Sequence, residues 1–316
     1  MDKPDLLLQG ALDLHAHASP ELTSRMPGRL SNTEWARLAA RCRMRGYVIK
    51  SHLFPTTGIA STLQPEFPEL EIFSSITLNP TSGGLSPLAV ECAIEAGAKV
   101  VWMPTWSARQ QSPKPSVFLE RMQRFITGLE ASRWPVAGLS VSQEDGSLTP
   151  QVREIVRLCA ERNVVVASGH LPASASLTLC EAVIDAGGRF VLTHPLSSSV
   201  AASLEDQCTV ARMGGFVEHV FVGCMPMHQR MDPALIAEAI RAVGADRCVM
   251  STDAIESWNP PQPELLRMFI ATMLSLGISD EDVHAMTHEN PAEALGLDPA
   301  WNPRRSEPAS LPDGLA

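Results

Sequence analysis

Several features that identify large classes of protein are missing from this sequence. Its 316 residues carry a formal net charge of −10. This argues against nucleic acid or an anionic membrane surface as the main partner, because both need a basic face. No apolar run approaches the roughly 20 residues of a membrane span, and no basic segment precedes an apolar stretch at the N-terminus. We therefore expect a cytoplasmic protein.

Paired cysteines and internal repeats are missing as well. The seven cysteines include no CxxC pair, and most lie in apolar periodic segments, where a reduced cysteine packs as a small hydrophobic residue. Hydrophobic residues make up 45% of the chain and the mean hydropathy is +0.02. This composition suits a soluble globular protein with a large core.

The sequence does contain a regular alternation of short apolar runs with amphipathic segments. We predict eight strands: Ala11–His15, Tyr47–His52, Ile72–Leu78, Val100–Met103, Val164–Ser168, Phe190–Thr193, Phe216–Phe221 and Cys248–Ser251. Those rich in Val and Ile are continuous apolar runs, as in parallel strands covered on both faces. Repeated strand–helix units imply right-handed crossovers, and eight of them favour a closed (β/α)8 TIM barrel of the α/β class over an open sheet.

Start and stop signals for helices separate these runs. Ser31 with Glu34 predicts a capping box ahead of a helix over Trp35–Arg45, which Gly46 closes. A cap residue also precedes proline in four places: Ser86-Pro87, Thr149-Pro150, Asp232-Pro233 and Asn290-Pro291.

One barrel domain is predicted over residues 1–297, followed by a flexible tail rich in proline, serine and arginine over residues 298–316. Between strands four and five, an insertion carries a predicted helix (Val117–Leu129) and a hairpin (Val136–Leu148). The insertion would serve as a lid or as the interface of a homo-oligomer. The segments before His15 and after Asp253 are too short for a flanking β-sandwich.

Two histidines near the N-terminus carry the strongest chemical signal. His15 and His17 share one face of the predicted first strand, with Cβ atoms about 6.5–7 Å apart. Two imidazoles at that separation can bind one metal ion through bonds of about 2.0–2.1 Å. The alternative is a pair of surface histidines, but surface strands seldom place histidine at both positions of one face amid Leu and Ala.

Further polar residues follow the later strands, at the end of the barrel where reactive groups of such folds lie. In chain order they are Lys50, His52, Asn79, His170, His194, Glu218 and Asp253. Five of the nine histidines thus end strands at one rim, whereas chance placement would scatter them over loops and helices.

With His15, His17, His170, His194 and Asp253 in this order, the chain resembles the amidohydrolase superfamily of metal-dependent hydrolases over residues 11–297. The resemblance implies that His15, His17, His170 and Asp253 bind a divalent metal. It also implies that His194 is a second-metal ligand or a catalytic group, and that Asp253 takes a proton from metal-bound water. Imidazole and carboxylate ligands suit zinc, with manganese or iron as alternatives. One ion and two ions both remain open.

The bridging residue of binuclear members is missing. They place a carboxylated lysine or a glutamate at the end of strand four, where this chain has Trp102 to Thr105. Lys50 either supplies a bridging carbamate, binds the substrate or pairs with Glu218. We favour a substrate or electrostatic role, since an unmodified lysine stays cationic in a metal site. Glu218 is the alternative carboxylate ligand or substrate contact, if it points into the barrel.

Three other residues are predicted to contact a small-molecule substrate. His52 shares a face with Lys50, and Asn79 ends strand three. Arg25, in the first loop, suits a clamp for an anionic group, since the arginine fork matches a carboxylate. The alternative interpretation is that Arg25 is a solvent-exposed charged residue of the loop.

The main functional hypothesis is a metal-dependent hydrolase that cleaves an amide, cyclic amide or lactone bond of a small, anionic substrate. The alternative is a metal-dependent decarboxylase or other lyase of the same superfamily, since such members also have a bare barrel without the bridging lysine. A non-catalytic metal-binding protein is disfavoured, because the expected ligands and the expected acid/base are all present.

Overall fold

Eight parallel strands form the centre of the molecule. The computed structural model describes residues 2–21, 24, 28–109, 138–255 and 257–300. The strands are β1 (Leu12–His17), β2 (Gly46–Lys50), β3 (Glu71–Thr77), β4 (Ala98–Trp102), β5 (Val165–Ala167), β6 (Arg189–Leu192), β7 (Phe216–Val220) and β8 (Cys248–Ser251). Each pairs in parallel with the next in chain order. All eight predicted strands are therefore confirmed.

The sheet closes between its first and last strands. A parallel bridge joins Ala16 to Ala254, and the Asp253 amide donates to the carbonyl of His15 at 2.8 Å. Helices alternate with the strands, which confirms the (β/α)8 TIM barrel. The α-helices of the described part are Lys3–Leu8, Asn32–Arg41, Thr57–Leu63, Pro87–Glu95, Pro150–Glu161, Ala173–Asp185, Leu204–Met213, Pro233–Val243, Gln262–Ser275, Asp280–His284 and Asn290–Leu295. None of the described helices is long and apolar enough to cross a membrane.

The helix starts follow the cap signals at four of the five predicted positions. Ser31 and Glu34 form a capping box, and Ser86, Thr149 and Asp232 each accept a backbone N–H ahead of a proline. Asn290 was predicted wrongly as a cap. Its helix continues from a π-helical turn over Ala285–Glu289.

Gly46 does not close the second helix, which already ends at Arg41; it begins β2 instead. A Cβ atom at Gly46 would lie 1.9 Å from the carbonyl oxygen of Glu71 on the paired strand. Glycine is therefore required here by the close approach of two backbones.

The interior of the barrel is filled by alternate residues of the strands. Val48, Val100, Phe216 and Val249 belong to one apolar cluster, against which Leu295 of the last described helix packs. Side chains two residues further along a strand point to the same side. The polar groups that follow these apolar residues are thereby aimed into the C-terminal mouth of the barrel.

Little of the predicted insertion lies in the described residues. The predicted helix over Val117–Leu129 is outside them, as is the start of the predicted hairpin. The described remainder has an antiparallel bridge between Ser142 and Leu148, around a turn at residues 144–146. Residues 301–316 of the predicted tail are also outside the described part.

Candidate metal centre and active site

His15, His17 and Asp253 meet at the mouth of the barrel. Nε2 of His15 lies 2.9 Å from Oδ1 of Asp253, and Nε2 of His17 lies 3.0 Å from the same oxygen. A cation about 2.0–2.1 Å from each ligand holds its ligand atoms roughly 3.0–3.4 Å apart. The three donor atoms therefore have nearly the spacing that one metal ion requires, and the group meets the geometric criterion for such a site.

The second nitrogen of each of these imidazoles faces a buried carboxylate. Nδ1 of His15 lies 3.1 Å from Oε2 of Glu218, and Nδ1 of His17 lies 3.4 Å from Oε1 of Glu21. Metal-binding histidines usually donate the non-coordinating N–H to such a carboxylate, which fixes the tautomer and the ring orientation. Only His15 follows this pattern with a hydrogen bond, which leaves its Nε2 lone pair on the side of Asp253; Nδ1 of His17 makes no hydrogen bond with Glu21.

The structure places Glu218 inside the barrel, as favoured from the sequence. Phe216, two residues earlier, belongs to the interior apolar cluster, so Glu218 points the same way. His219 points elsewhere, with its Nε2 atom 3.8 Å from Sγ of Cys248. Glu218 is completely buried and contacts a candidate ligand, so it orients His15.

Lys50 is the buried cation of the site. It ends β2 opposite His17 in the strand register, it has no solvent exposure, and its Nζ atom lies 2.7 Å from Nε2 of His15. The ammonium also lies 4.5 Å from the centroid of the Trp102 ring. Lys50 therefore lies beneath the histidines, among the carboxylates of Asp253, Glu218 and Glu21 that interact with it.

The charges of the site are unbalanced without a further cation. Three carboxylates, those of Asp253, Glu218 and Glu21, surround a single ammonium, that of Lys50. With both imidazoles neutral, as metal ligands must be, the excess is two negative charges, which one divalent cation neutralises; buried charges need such compensation. Burial lowers the pKa of His15, but the Asp253 and Glu218 carboxylates outweigh it and raise the pKa.

The hydrogen bonds of His15 also point to an additional ligand. Its Nε2 atom would have to donate to Asp253 and accept from Lys50, and no single tautomer does both. Burial raises the pKa of Asp253, yet its contacts with His15, His17 and Lys50 hold that pKa well below its usual range. An ionised Asp253 beside two Nε2 atoms is a donor set that suits zinc and similar metals.

Asp13 holds the two ligand-bearing strands β1 and β8 together. Its carboxylate accepts from the backbone N–H of His15 at 3.0 Å and from the N–H and hydroxyl of Thr252 at 3.1 and 2.6 Å. Gln262 donates a fourth hydrogen bond at 2.8 Å. This network fixes the backbone on either side of His15 and Asp253.

The other predicted histidines surround the same mouth, and the His52 ring lies 4.8 Å from that of His17; His170 and His194 are not part of the three-residue group. The ring of His170 lies 4.8 Å from that of His194 and 5.9 Å from that of His52. His194 lies 6.0 Å from His15, measured between ring centroids. Burial lowers the pKa of His194 to about 3, and it lowers the pKa of His52 well below the usual value.

Two of the residues at the mouth have strained backbones. His194 has φ +28° and Asp253 has φ +52°, in a region that residues other than glycine rarely occupy. Such strain persists only where the surrounding structure enforces it, and it concentrates at functional sites. Both residues were predicted as catalytic from the sequence, and that role stays a prediction, because Arg43, Asn163, Ala201 and Arg230 also have positive φ.

Asn79 is completely buried and has no hydrogen-bonding capacity left for a substrate. Its Nδ2 group donates to the carbonyl of His52 and to the hydroxyl of Thr105, and its Oδ1 atom accepts from the Thr105 amide and the Ser107 hydroxyl. These four bonds use the whole amide. Asn79 therefore positions the loops after β2 and β4 and does not support the predicted substrate contact.

Sequence reasoning missed Glu21. The backbone N–H of His52 donates to its Oε1 atom at 2.6 Å, and Glu21, His17 and His52 form a second group with metal-binding spacing. The available signal was an acidic residue four positions after His17. Arg25, the predicted anion clamp, lies outside the described residues.

A cavity of about 460 Å³ opens above these groups, a volume that fits a small organic ligand. His52, His170, His194 and Asp253 line it, and the Trp106 ring stacks on His52 at 4.1 Å between centroids. Of the three candidate metal ligands, Asp253 thus faces a space in which a substrate fits.

Comparison with known families places the chain in one of them. A model described as a family of unknown function (DUF6282) matches residues 10–218, about two thirds of the sequence. The chain belongs to this family. The match spans β1 to Glu218 and ends before Asp253. A search of curated proteins found no match.

Solved structures of the same architecture match over nearly the whole chain. An amidohydrolase from Pseudomonas aeruginosa is 13% identical with a TM-score of 0.57, covering 92% of this chain and 98% of its own. A probable dipeptidase from the same organism is 13% identical with a TM-score of 0.63, covering 93% and 96%. A probable 2-pyrone-4,6-dicarboxylic acid hydrolase from Acinetobacter baumannii is 12% identical with a TM-score of 0.53, covering 92% and 100%. The DUF6282 chain therefore has an amidohydrolase-like TIM-barrel fold.

Proposed function

We propose that the protein is a metal-dependent hydrolase that cleaves an amide, cyclic amide or lactone bond of a small molecule. The observation that carries the proposal is the convergence of two Nε2 atoms on one oxygen of Asp253, with Glu218 and Glu21 behind the two imidazoles. Hydrolases among the structures of similar fold support the same reaction class.

His15, His17 and Asp253 would hold the cation, with His170 and His194 facing the same cavity. A divalent cation held there would supply Lewis-acid chemistry, which would make water a nucleophile near neutral pH and polarise the bond under attack. Zinc is the first choice for these ligands, and manganese or iron are the alternatives.

The residues of the chain supply the remaining steps. Asp253, held ionised, accepts a proton from the attacking water and returns it to the leaving group. His194, whose lowered pKa keeps it neutral, donates a hydrogen bond to the oxygen that gains charge. Lys50 keeps the excess negative charge of the carboxylates small enough for these groups to stay buried.

Metal content is the first test. Protein purified without chelators and reloaded in turn with zinc, manganese or iron(II) should contain close to one ion per chain by inductively coupled plasma mass spectrometry. His17→Gln and Asp253→Asn should lose most of it. His284→Gln, on an exposed ring in a late helix, is the matched control and should retain it. A wild-type protein that binds none of these metals would refute the proposal.

The Lys50→Ala variant distinguishes a site that binds one metal ion from a site that binds two. A wild type with two ions that falls toward one in this variant would indicate a carbamate on Lys50. A content of one ion in both proteins would indicate a mononuclear site, with Lys50 as a structural cation.

The reaction class is tested on a panel of amides, cyclic amides and lactones, with released carbon dioxide measured in parallel on carboxylic acids. Hydrolysis that needs the metal and falls at least 100-fold in Asp253→Asn is the expected result. Carbon dioxide release without hydrolysis would favour the decarboxylase alternative.

A further inference from the structure

The charge of the cavity walls differs from what an anionic substrate needs. Among the described residues that line the cavity, the charged ones are Glu21 and Asp253, and none is lysine or arginine. Lys50 lies beneath the histidines and does not line the space. Apart from the divalent cation that Asp253 would hold, an anionic group would find no lysine or arginine among the described lining residues to pair with.

Two large apolar side chains are exposed at the cavity. Met227, in the loop after β7, is 68% exposed, and Trp258, in the loop after β8, is 47% exposed. Met231, Ile236 and Val222 line the same cavity, together with polar residues that include Ser197, His228 and Gln229. We refer to the five apolar side chains as the apolar wall. Large exposed apolar side chains grouped at the rim of a pocket mark a ligand-binding surface.

The apolar wall and the reactive groups share one cavity. Asp253, His170 and His194 line it together with the apolar wall. A molecule whose polar bond lies at Asp253 can therefore place its remaining atoms against the apolar wall within the same cavity. Burial of apolar atoms there is favourable in proportion to the area removed from water.

We propose that the substrate is uncharged and carries an aliphatic or aromatic chain, which binds along the apolar wall while its carbonyl group faces Asp253. This inference rests on the proposed function for the identity of the reacting group, and it replaces the anionic substrate expected from the sequence. Met227 and Trp258 are then residues that determine specificity.

Binding can be measured without any hydrolysis. Linear methyl ketones from acetone to 2-nonanone carry a carbonyl group but no bond to hydrolyse. Their dissociation constants can be followed through tryptophan fluorescence, because Trp106 and Trp258 line the cavity. Each added methylene should tighten binding by roughly threefold to fourfold until the wall is covered.

A keto acid of matched length tests whether the cavity disfavours a negatively charged ligand. Replacing the terminal methyl group of 2-nonanone by a carboxylate gives 8-oxononanoate, which should bind at least tenfold more weakly. Affinities that do not change with chain length, or a keto acid that binds more tightly than the ketone, would overturn the inference.

Substitutions in the apolar wall test whether it causes the dependence of ketone binding on chain length. Met227→Glu should weaken 2-nonanone binding at least tenfold and remove the dependence on chain length, whereas Met227→Leu should stay within threefold. Leu88→Glu, at an equally exposed apolar position outside the cavity lining, is the control and should leave binding unchanged. A Met227→Glu protein that binds like the wild type would also overturn the inference.

The two proposals fail separately. A protein that binds ketones according to chain length but takes up no metal and hydrolyses nothing would refute the proposed function and leave the apolar specificity standing. A metal-dependent hydrolase that prefers anionic substrates would support the proposed function and refute the apolar specificity.

Discussion

Glu218→Gln tests whether a carboxylate behind His15 controls metal affinity. In the structure Nδ1 of His15 donates to Oε2 of Glu218 at 3.1 Å, and neither side chain has any solvent exposure. Glutamine keeps the shape and one acceptor oxygen but removes the charge. Both the orientation of His15 and the negative charge that attracts the cation are therefore weakened.

The expected loss of metal affinity follows from measurements on other carboxylates that orient a ligand histidine. Loss of a carboxylate behind a ligand histidine typically lowers metal affinity by 10–100-fold, which corresponds to about 1.4–2.7 kcal/mol. Because glutamine retains an acceptor, we expect the effect of Glu218→Gln near the lower end of this range. Glu218→Ala should lie near the upper end.

Zinc affinity is measured at one fixed pH by competition with a chelating dye, and thermal unfolding is measured with and without metal. The metal-free variant should unfold within a few degrees of the wild type. The stabilisation gained on adding metal should fall, since it depends on the dissociation constant. The control is Glu71→Gln, which removes the same charge from the start of β3 at the opposite end of the barrel.

A Glu218→Gln protein that binds zinc within threefold of the wild type would refute this reasoning. So would an equal loss of affinity in Glu71→Gln, because the effect would then come from net charge rather than from the contact with His15.

Two further predictions concern stability. Gly46→Ala should lower the free energy of unfolding by about 3 kcal/mol in denaturant titrations, since its Cβ atom would meet the backbone of Glu71 at 1.9 Å. The control is Gly58→Ala, which has open space around its Cβ position and should be neutral or stabilising. Equal effects of the two substitutions would contradict the argument from the close approach of the backbones. Burial lowers the pKa of His288 to about 4, so between pH 6.5 and 4 the unfolded chain binds a proton that the folded chain does not. The wild type should therefore lose up to about 3 kcal/mol relative to His288→Gln as the pH falls through this window; parallel stability curves of the two proteins would contradict it.

The sequence alone determined the architecture because each local signal agreed with the others. Continuous apolar runs marked all eight strands, and caps such as Ser31 and Ser86 marked where helices begin. Local patterns suffice here because strand and helix formation depend on residues within a few positions of one another. The placement of His15, His17, His194 and Asp253 at one rim followed from the parallel order of the strands.

The direction of Glu218 and the part played by Glu21 required the tertiary structure. Both depend on contacts across the barrel, between residues 203 positions apart in the case of His15 and Glu218. The sequence left Glu218 open between two faces, and it gave no reason to connect Glu21 with His52. Periodicity states which residues share a face but not which face is inside.

The lining of the cavity also required the tertiary structure. Read along the chain, Lys50 was a cation near the active end of the barrel with a predicted substrate or electrostatic role. In the structure it is completely buried against His15, with Met227 and Trp258 at the mouth instead. Sequence spacing placed the reactive groups because they sit on strands, whereas the walls come from loops, whose paths depend on packing between distant segments.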